Sequence, residues 1–484
     1  MSIDLNQHHQ SQPAGLYVLS FTELWDRFSY YGIQAMLVLY VTKIFLFSDD
    51  KAYGLYGAFT ALAFATTVIG GILADRLLGF RYSVVVGALL IIIANILLVF
   101  GGQQIMYFGL SLMICGIGLF KPNNASFVGL LYSQNDTRRE AGFSIFYIGM
   151  NAGALLGPIV YGYIALHHGW HLGFALSSVG MMISLSLFFI KGKYFKHLKD
   201  DVKFKNRHQY LFYLFLLVTV GLFDVLMQHT YLFGNLLVVI GVITVLSLLL
   251  LAARLEKSER HRLSGLCLLS FFCIFFFACS LQTGSSLTLF IERNIDRHIF
   301  GIQIPTMMFL SLEPFFIILS APLVGLLWTW LGRKECNPVA STKVGLGLFL
   351  AALSFLVFSN AAHFDKNSHL PLLYIAGGNF ILGLGELCIV PAVIAAITEL
   401  APRNLRGTMM GILFLALAFS GYLSGFIAKM ISDKNVMQHN QADLINYSHA
   451  FMQVCYITFA IGLLLFCINP WVKRMLYHKP AASA

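Results

Sequence analysis

Glu23, Asp26 and Arg27 interrupt a stretch, TELWDRFSYYGIQAMLVLYV, that otherwise reads as a membrane span. A charged side chain at the bilayer centre costs about 2.5–3.5 kcal/mol on insertion scales, so such groups need partners and a purpose. The spacing supplies the partners. Glu23, Arg27, Tyr30 and Gln34 fall at i, i+4, i+7 and i+11, on one face of an α-helix, with Asp26 at its edge. A glutamate four residues before an arginine is the favourable orientation for a helical ion pair. A polar seam on an apolar helix looks toward protein or water, where it can pair ions and exchange protons.

Four more charges lie inside apolar stretches: Lys121 in CGIGLFKPNNASF, Asp224 in LFLLVTVGLFDVLMQH, Glu313 in MMFLSLEPFFIILSAP and Glu386 in ILGLGELCIVPAV. Asn151 and Gln282 are polar company for them. Buried charges need partners, and the simplest arrangement sets Lys121 beside the first-span carboxylates. A zwitterionic ligand accounts for the rest. Arg27 would offer a carboxylate its bidentate fork and Lys121 a point charge, while Glu386 would hold an ammonium. Burial raises a carboxyl pKa and a nearby cation lowers it, so Glu23 or Asp26 could be poised to take a proton and release its cationic partner. That is proton-coupled uptake. The alternative is a buried ion network serving only assembly. Asp224 is expected to pair with a neighbour or to reach toward the membrane surface.

The elements carrying these residues are membrane helices. Of 484 residues 58% are hydrophobic and only 11% charged, with a mean hydropathy of +0.76, whereas a soluble domain carries about 25% charged residues. Apolar runs long enough for helical spans lie near 16–46, 52–74, 82–101, 104–131, 141–166 and 171–190, then 209–228 and 231–253. A last set lies near 265–291, 305–331, 342–361, 371–400, 405–430 and 447–470. The expected organisation is a tail (1–15), a six-helix bundle (16–190), a basic linker with two extra helices (191–264), a second six-helix bundle (265–470) and a tail (471–484). With both termini in the cytoplasm, 23 of the 32 Lys and Arg fall on the inner side and six on the outer. That asymmetry makes the net charge of +10 a topology signal, not a nucleic-acid footprint. No phosphate loop, nucleotide fingerprint or metal-ligand cluster appears, so no cofactor or enzymatic activity is expected.

Two six-helix halves around a basic linker is the layout of major facilitator transporters. The loop GGILADRLLGFR (70–81) resembles that superfamily's signature loop, with Asp75, Arg76 and Arg81 as a conformational latch. Finer motifs match one family. ELWDRFSYYG (23–32) resembles the E-x-x-E-R-F-x-Y-Y-G signature of proton-dependent oligopeptide transporters. The likeness continues through GIGLFKPN (116–123), GFSIFYIGMNAG (142–153) and GELCIVPAVIAAITELAPRNLRGTMMG (385–411). It implies an all-α protein of the inner membrane, with 14 spans, importing di- and tripeptides by alternating access on the proton gradient, and able to work as a monomer. By the resemblance Glu23, Asp26, Arg27 and Lys121 would couple protons. Arg27 and Lys121 would meet the peptide carboxylate and Glu386 its amino group, while Tyr30, Tyr31, Asn151 and Gln282 would line the pocket.

The chain departs from the pattern at five places. Asp26 replaces a Glu, Phe64 a frequent pocket Tyr, Leu413 a Trp, and Leu281 a residue that is acidic in many members. Glu313 stands where the family has Asn before Pro, adding a negative charge and a titratable group, so a preference for cationic peptides is expected. The competing expectation is the same fold carrying a modified peptide, an amino-acid conjugate or another small organic solute.

Overall fold

The computed structural model describes residues 11–133, 136, 138–195, 206–361, 370–402, 405–431 and 441–477. Most of the basic linker loop (196–205), the outer parts of both tails (1–10 and 478–484), and Lys366, Arg403 and Lys434 of the charge count lie outside that range.

Six long helices come first: α1 (Ala14–Lys43), α2 (Asp49–Leu73), α3 (Phe80–Phe100), α4 (Gln103–Leu130), α5 (Arg139–His167) and α6 (His171–Ile190). Then come α7 (Asn206–Gln228) and α8 (Thr230–Ala253). The last set is α9 (Lys257–Ser280), α10 (Ser286–Asn294), α11 (Leu312–Arg333), α12 (Ala340–Ala361), α13 (Leu370–Leu400), α14 (Arg406–Ile431) and α15 (Gln441–Tyr477). Counting α9 and α10 as one, 13 spans among the described residues are long and apolar enough to cross a membrane. The fourteenth is α1, whose charged seam lowers its hydropathy.

Local chemistry sets the ends. Pro13 precedes the first turn of α1, where its missing N–H costs nothing. Ser48 opens α2, its carbonyl accepting from the Ala52 N–H at 2.9 Å, and Asp49 and Asp50 add negative charge to the first turn. A π-helical turn, Ala74–Leu78, closes the second span. The chain then reverses at Gly79, whose φ of +79° is open only to glycine without strain. At the start of α5, Arg138 donates to both Asp136 oxygens at 2.8 and 3.0 Å, and these bonds hold the Asp136 carboxyl below its ordinary range. Arg138 also donates to the Ser11 carbonyl at 2.8 Å, tying down the lead-in to α1.

The described chain divides into two compact units. One takes in the residues up to Gly32, Thr66–Gly157 and His168–Gly221; the other takes in Ile33–Ala65, Pro158–His167 and the remainder from Leu222. In the first, α3 packs on α4 and α6; in the second, α12 packs on α13 and α15. The third helix of each set of six thus contacts its fourth and sixth, an internal repeat. The second unit centres on Phe355, Phe358, Phe451 and Tyr447. Only 6% of the apolar window of α8 is buried, so this helix presents most of its surface to lipid.

Helices overrun the apolar runs. α9 begins at Lys257 and not near 265, and α15 runs over Gln441–Tyr477 and not 447–470. Hydropathy registers only the part in hydrocarbon, while a helix continues into water with charged residues such as Lys257, Glu259 and Arg260. The span expected near 265–291 is broken by a 3₁₀ turn at Leu281–Gly284, and that near 305–331 opens with another at Thr306–Ser311. Between them, His298–Ile299 and Ile302–Gln303 pair as a small antiparallel hairpin.

Candidate functional site

Each unit buries a polar cluster. In the first, Arg27 donates through Nε to Glu23 Oε1 at 2.9 Å, with its Nη2 also 2.9 Å from that oxygen. The other carboxylate oxygen accepts from Asn124 Nδ2 of α4 at 2.7 Å. Glu23, Asp26 and Arg27 are 1%, 2% and 6% exposed. Asp26 differs from Glu23: its Oδ1 is buried without a hydrogen-bond partner among the described residues. Lys121 Nζ stands 5.5 Å from the Tyr30 ring centroid, within cation–π reach, and Tyr30 and Tyr31 meet edge to face at 5.2 Å. A saturated carboxylate, an unsatisfied one and two cations therefore share a water-poor site, where low dielectric strengthens every interaction.

Close helix crossings hold this cluster. Gly149, Gly153 and Gly157 form a stripe along α5 against α1: a Cβ would fall 2.7 Å from Ser20 O, 2.2 Å from Leu24 O and 2.6 Å from Phe28 O respectively. Only glycine lets the backbones approach so closely, a common device between membrane helices. α2 crosses α4 in the same way, since a Cβ on Gly70 would lie 1.9 Å from Gly118 O. Pro122 sits inside α4 beside Lys121 and removes the hydrogen bond to the Gly118 carbonyl. Asn123 Nδ2 donates to Gly70 O at 3.2 Å and secures the crossing. Asn151 falls about 200° around α5 from Gly149, and its amide donates to Tyr147 O at 2.8 Å. The structure does not bring it to the Glu23 cluster.

The second unit brings Glu313 and Glu386 together. Glu313, in the first turn of α11, is 8% exposed and accepts from Ser280 Oγ at 2.9 Å. Glu386, on α13, is near enough for the two carboxyls to act on each other electrostatically. Gln282 sits in the turn between α9 and α10, 1% exposed. Its Nε2 donates to Ser424 O at 2.9 Å and its Oε1 accepts from Ser286 Oγ at 2.7 Å. Those bonds occupy both ends of its amide within the protein. Gln34, the last member of the α1 seam, belongs to this unit and donates to Tyr56 OH at 3.0 Å.

A third group lies at the end of this unit that the charge count assigns to the outside. Glu292 pairs with Lys43, accepts from Thr306 and lies 3.2 Å from Arg297. Arg293 grips Asp49 bidentately at 2.6 and 2.7 Å. Glu292→Gln should lower stability by about 1–2 kcal/mol, discounted because Lys43 is half exposed; an unchanged melting temperature in detergent would count against a structural role.

The remaining residues stand apart. Asp75 and Arg76 are exposed, without an ion pair among the described residues, while Arg81 approaches Gly192. Asp224 accepts from Gln228 Nε2 at 2.7 Å, one turn away. Sequence reasoning missed Asn124 and the glycine stripe. Signals for both were present, in the second Asn of KPNN and in glycines spaced by four.

Fold and buried charges together define a multi-pass helical membrane protein of the major facilitator type. The POT family model matches residues 81–444, and the chain belongs to that family. It is 30% identical over 474 residues to dipeptide and tripeptide permease A of Proteus mirabilis (strain HI4320), covering 96% of each chain. To the Yersinia pestis protein of that name it is 29% identical, covering 98% of this chain and 95% of the other. A crystal structure of a mutant form of peptide transporter POT in complex with alafosfalin is similar at a TM-score of 0.85 and 29% identity, over 98% of this chain and all of the other. One of a POT family transporter in complex with 5-aminolevulinic acid is similar at 0.83 and 27%, over 95% and 97%. The chain is accordingly a transporter and not an enzyme.

Proposed function

We propose that the protein imports di- and tripeptides across the cytoplasmic membrane together with protons, by alternating access and without a cofactor. The observation that carries the coupling is the contrast between two neighbouring carboxylates: Glu23, saturated by Arg27 and Asn124, and Asp26, buried with an unsatisfied oxygen. A carboxyl held in that way can gain or lose a proton without breaking the pair beside it. Arg27 and Lys121 supply positive charge for a peptide carboxylate, and Glu386 with Glu313 supplies negative charge for an amino group. Permeases for di- and tripeptides among the relatives support the substrate class. Phosphates, nucleotides and nucleic acid have no part in this reading, and a single chain surrounded by lipid suffices for it.

The test is uptake of labelled dialanine into proteoliposomes under an inside-alkaline, inside-negative gradient, with a protonophore control. Accumulation that collapses with the protonophore and is competed by short peptides is expected. Folded protein that accumulates nothing would shift the reading to another small organic solute on the same fold. Accumulation indifferent to the protonophore would remove the coupling.

A further inference from the structure

We infer that Asn124 is a positioning residue of the proton site: by donating to Glu23 from a second helix it keeps Glu23 as the standing counterion of Arg27 and confines the travelling proton to Asp26. The inference rests on the proton-coupled reading above. It names, within that site, what decides which of two neighbouring acids carries the proton.

Consecutive asparagines of α4 serve different neighbours. Asn123 Nδ2 donates to Gly70 O of α2 at 3.2 Å. Asn124 Nδ2 donates to Glu23 Oε2 of α1 at 2.7 Å and to Leu19 O, one turn earlier, at 3.3 Å. Asn124 is fully buried, and its Oδ1 has no hydrogen-bond partner among the described residues. Turning the amide over would set Oδ1 against two acceptors, Glu23 Oε2 and Leu19 O, so the N–H end must face α1. An apolar side chain would fill the same place without burying a bare oxygen, which is costly in itself. The asparagine therefore answers to Glu23 and not to packing.

An ionised carboxylate only accepts hydrogen bonds. Glu23 Oε1 faces Nε and Nη2 of Arg27, and Asn124 takes up the oxygen that Arg27 leaves. A proton entering the cluster thus finds a bare oxygen on Asp26, while on Glu23 it would have to displace an N–H from either oxygen. Without the amide, Oε2 would be as bare as Asp26 Oδ1, and a proton would be free to settle there with the Arg27 bonds on Oε1 left in place. The other charged and titratable groups around the cluster are Tyr30 and Tyr31 of α1 and Lys121 of α4. Lys121 and Asn124 lie three apart on α4, so one face of that helix presents both, and α5 meets this stretch of α1 through Gly149 and Gly153. Losing one hydrogen bond to a charged group shifts an equilibrium by about tenfold or more, so removing the amide should move the proton toward Glu23 by that factor.

The experiment locates the proton by infrared spectroscopy of the purified protein across pH, with an isotope label in the carboxyls of either aspartate or glutamate. The protonated-carboxyl signal that Asp26→Asn removes should move with the aspartate label and not with the glutamate label. Asn124→Leu keeps the branched shape of the side chain and removes the donor. In it a glutamate-type signal absent from the wild type should appear over the same pH range, and gradient-driven accumulation of dialanine should fall while counterflow exchange persists. Asn124→Ala, which adds no bulk, repeats the measurement if Asn124→Leu does not fold. A glutamate-type signal lost with Asp26→Asn, or a folded Asn124 variant without the new glutamate signal, would overturn the inference. Failure of both Asn124 variants to fold would overturn it too, since the bond would then serve assembly. If the wild type accumulates no dialanine under the gradient, the coupled-peptide reading fails, and the infrared comparison still decides which acid holds the proton.

Discussion

Asp26→Asn is expected to cut gradient-driven accumulation of dialanine by more than about 100-fold, a loss of about 2.7 kcal/mol, while counterflow exchange survives. The two assays separate because exchange needs no net proton movement. The substitution keeps the shape of the side chain and removes its titration. Asp26 Oδ1 has no donor to lose among the described residues and belongs to no ion pair there, so the melting temperature should stay within about 2 °C of wild type. Glu23→Gln makes the instructive contrast. Its amide would turn an N–H toward Asn124 Nδ2 or toward Arg27, both donors at present, and leave a buried guanidinium without its counterion. Breaking such a pair costs about 3–5 kcal/mol, so that variant should lose stability and both transport modes together. If Asp26→Asn also loses both modes equally, the cluster is structural and the proton travels elsewhere.

Gly153→Val should prevent the protein from folding, or destabilise it by more than about 4 kcal/mol. The first added carbon would sit 2.2 Å from Leu24 O and 2.7 Å from Arg27 Cβ. Neither is the far end of a flexible side chain, so the helices would have to separate. Separation would also move Arg27 relative to Glu23, and stability and transport should fail together. Gly153→Ala should already be severe. Gly71→Ala is the control, because nothing lies within 4 Å of its added carbon. Expression and melting in detergent decide the matter: a stable Gly153→Val would mean that α1 and α5 do not cross so closely.

Spans and seam were legible because they are local. Every apolar run carries helix, though the one near 265–291 is split in two, and the Glu23–Arg27 pair followed from a spacing of four on one helix. Relations between distant segments were not. Gln282 reads as a polar residue in an apolar stretch, and what it bonds, Ser424, lies 142 positions away. Glu313 could be singled out as a misplaced charge, but its meeting with Glu386 depends on how α11 packs against α13. The seam divides for the same reason. Glu23, Arg27 and Tyr30 stay with the first unit and Gln34 goes with the second, a partition that helical periodicity cannot reveal. The breaks at Leu281–Gly284 and Thr306–Ser311 were hidden because a 3₁₀ turn has no hydropathy signature.

The ion group around Glu292 and Asp49 has a consequence for how the chain is made. Lys43 meets a residue 249 positions later, and Asp49 one 244 positions later. At about 5–20 residues per second, a ribosome needs roughly 12–50 s to synthesise what lies between. Throughout that interval the ends of α1 and α2 are already in the membrane, with their charges unanswered. The nascent first half must therefore be held by its own glycine crossings until the partner residues emerge. Mutations that loosen α5 from α1 should accordingly be punished during biogenesis, by quality-control proteolysis, before they are ever seen as slow transport.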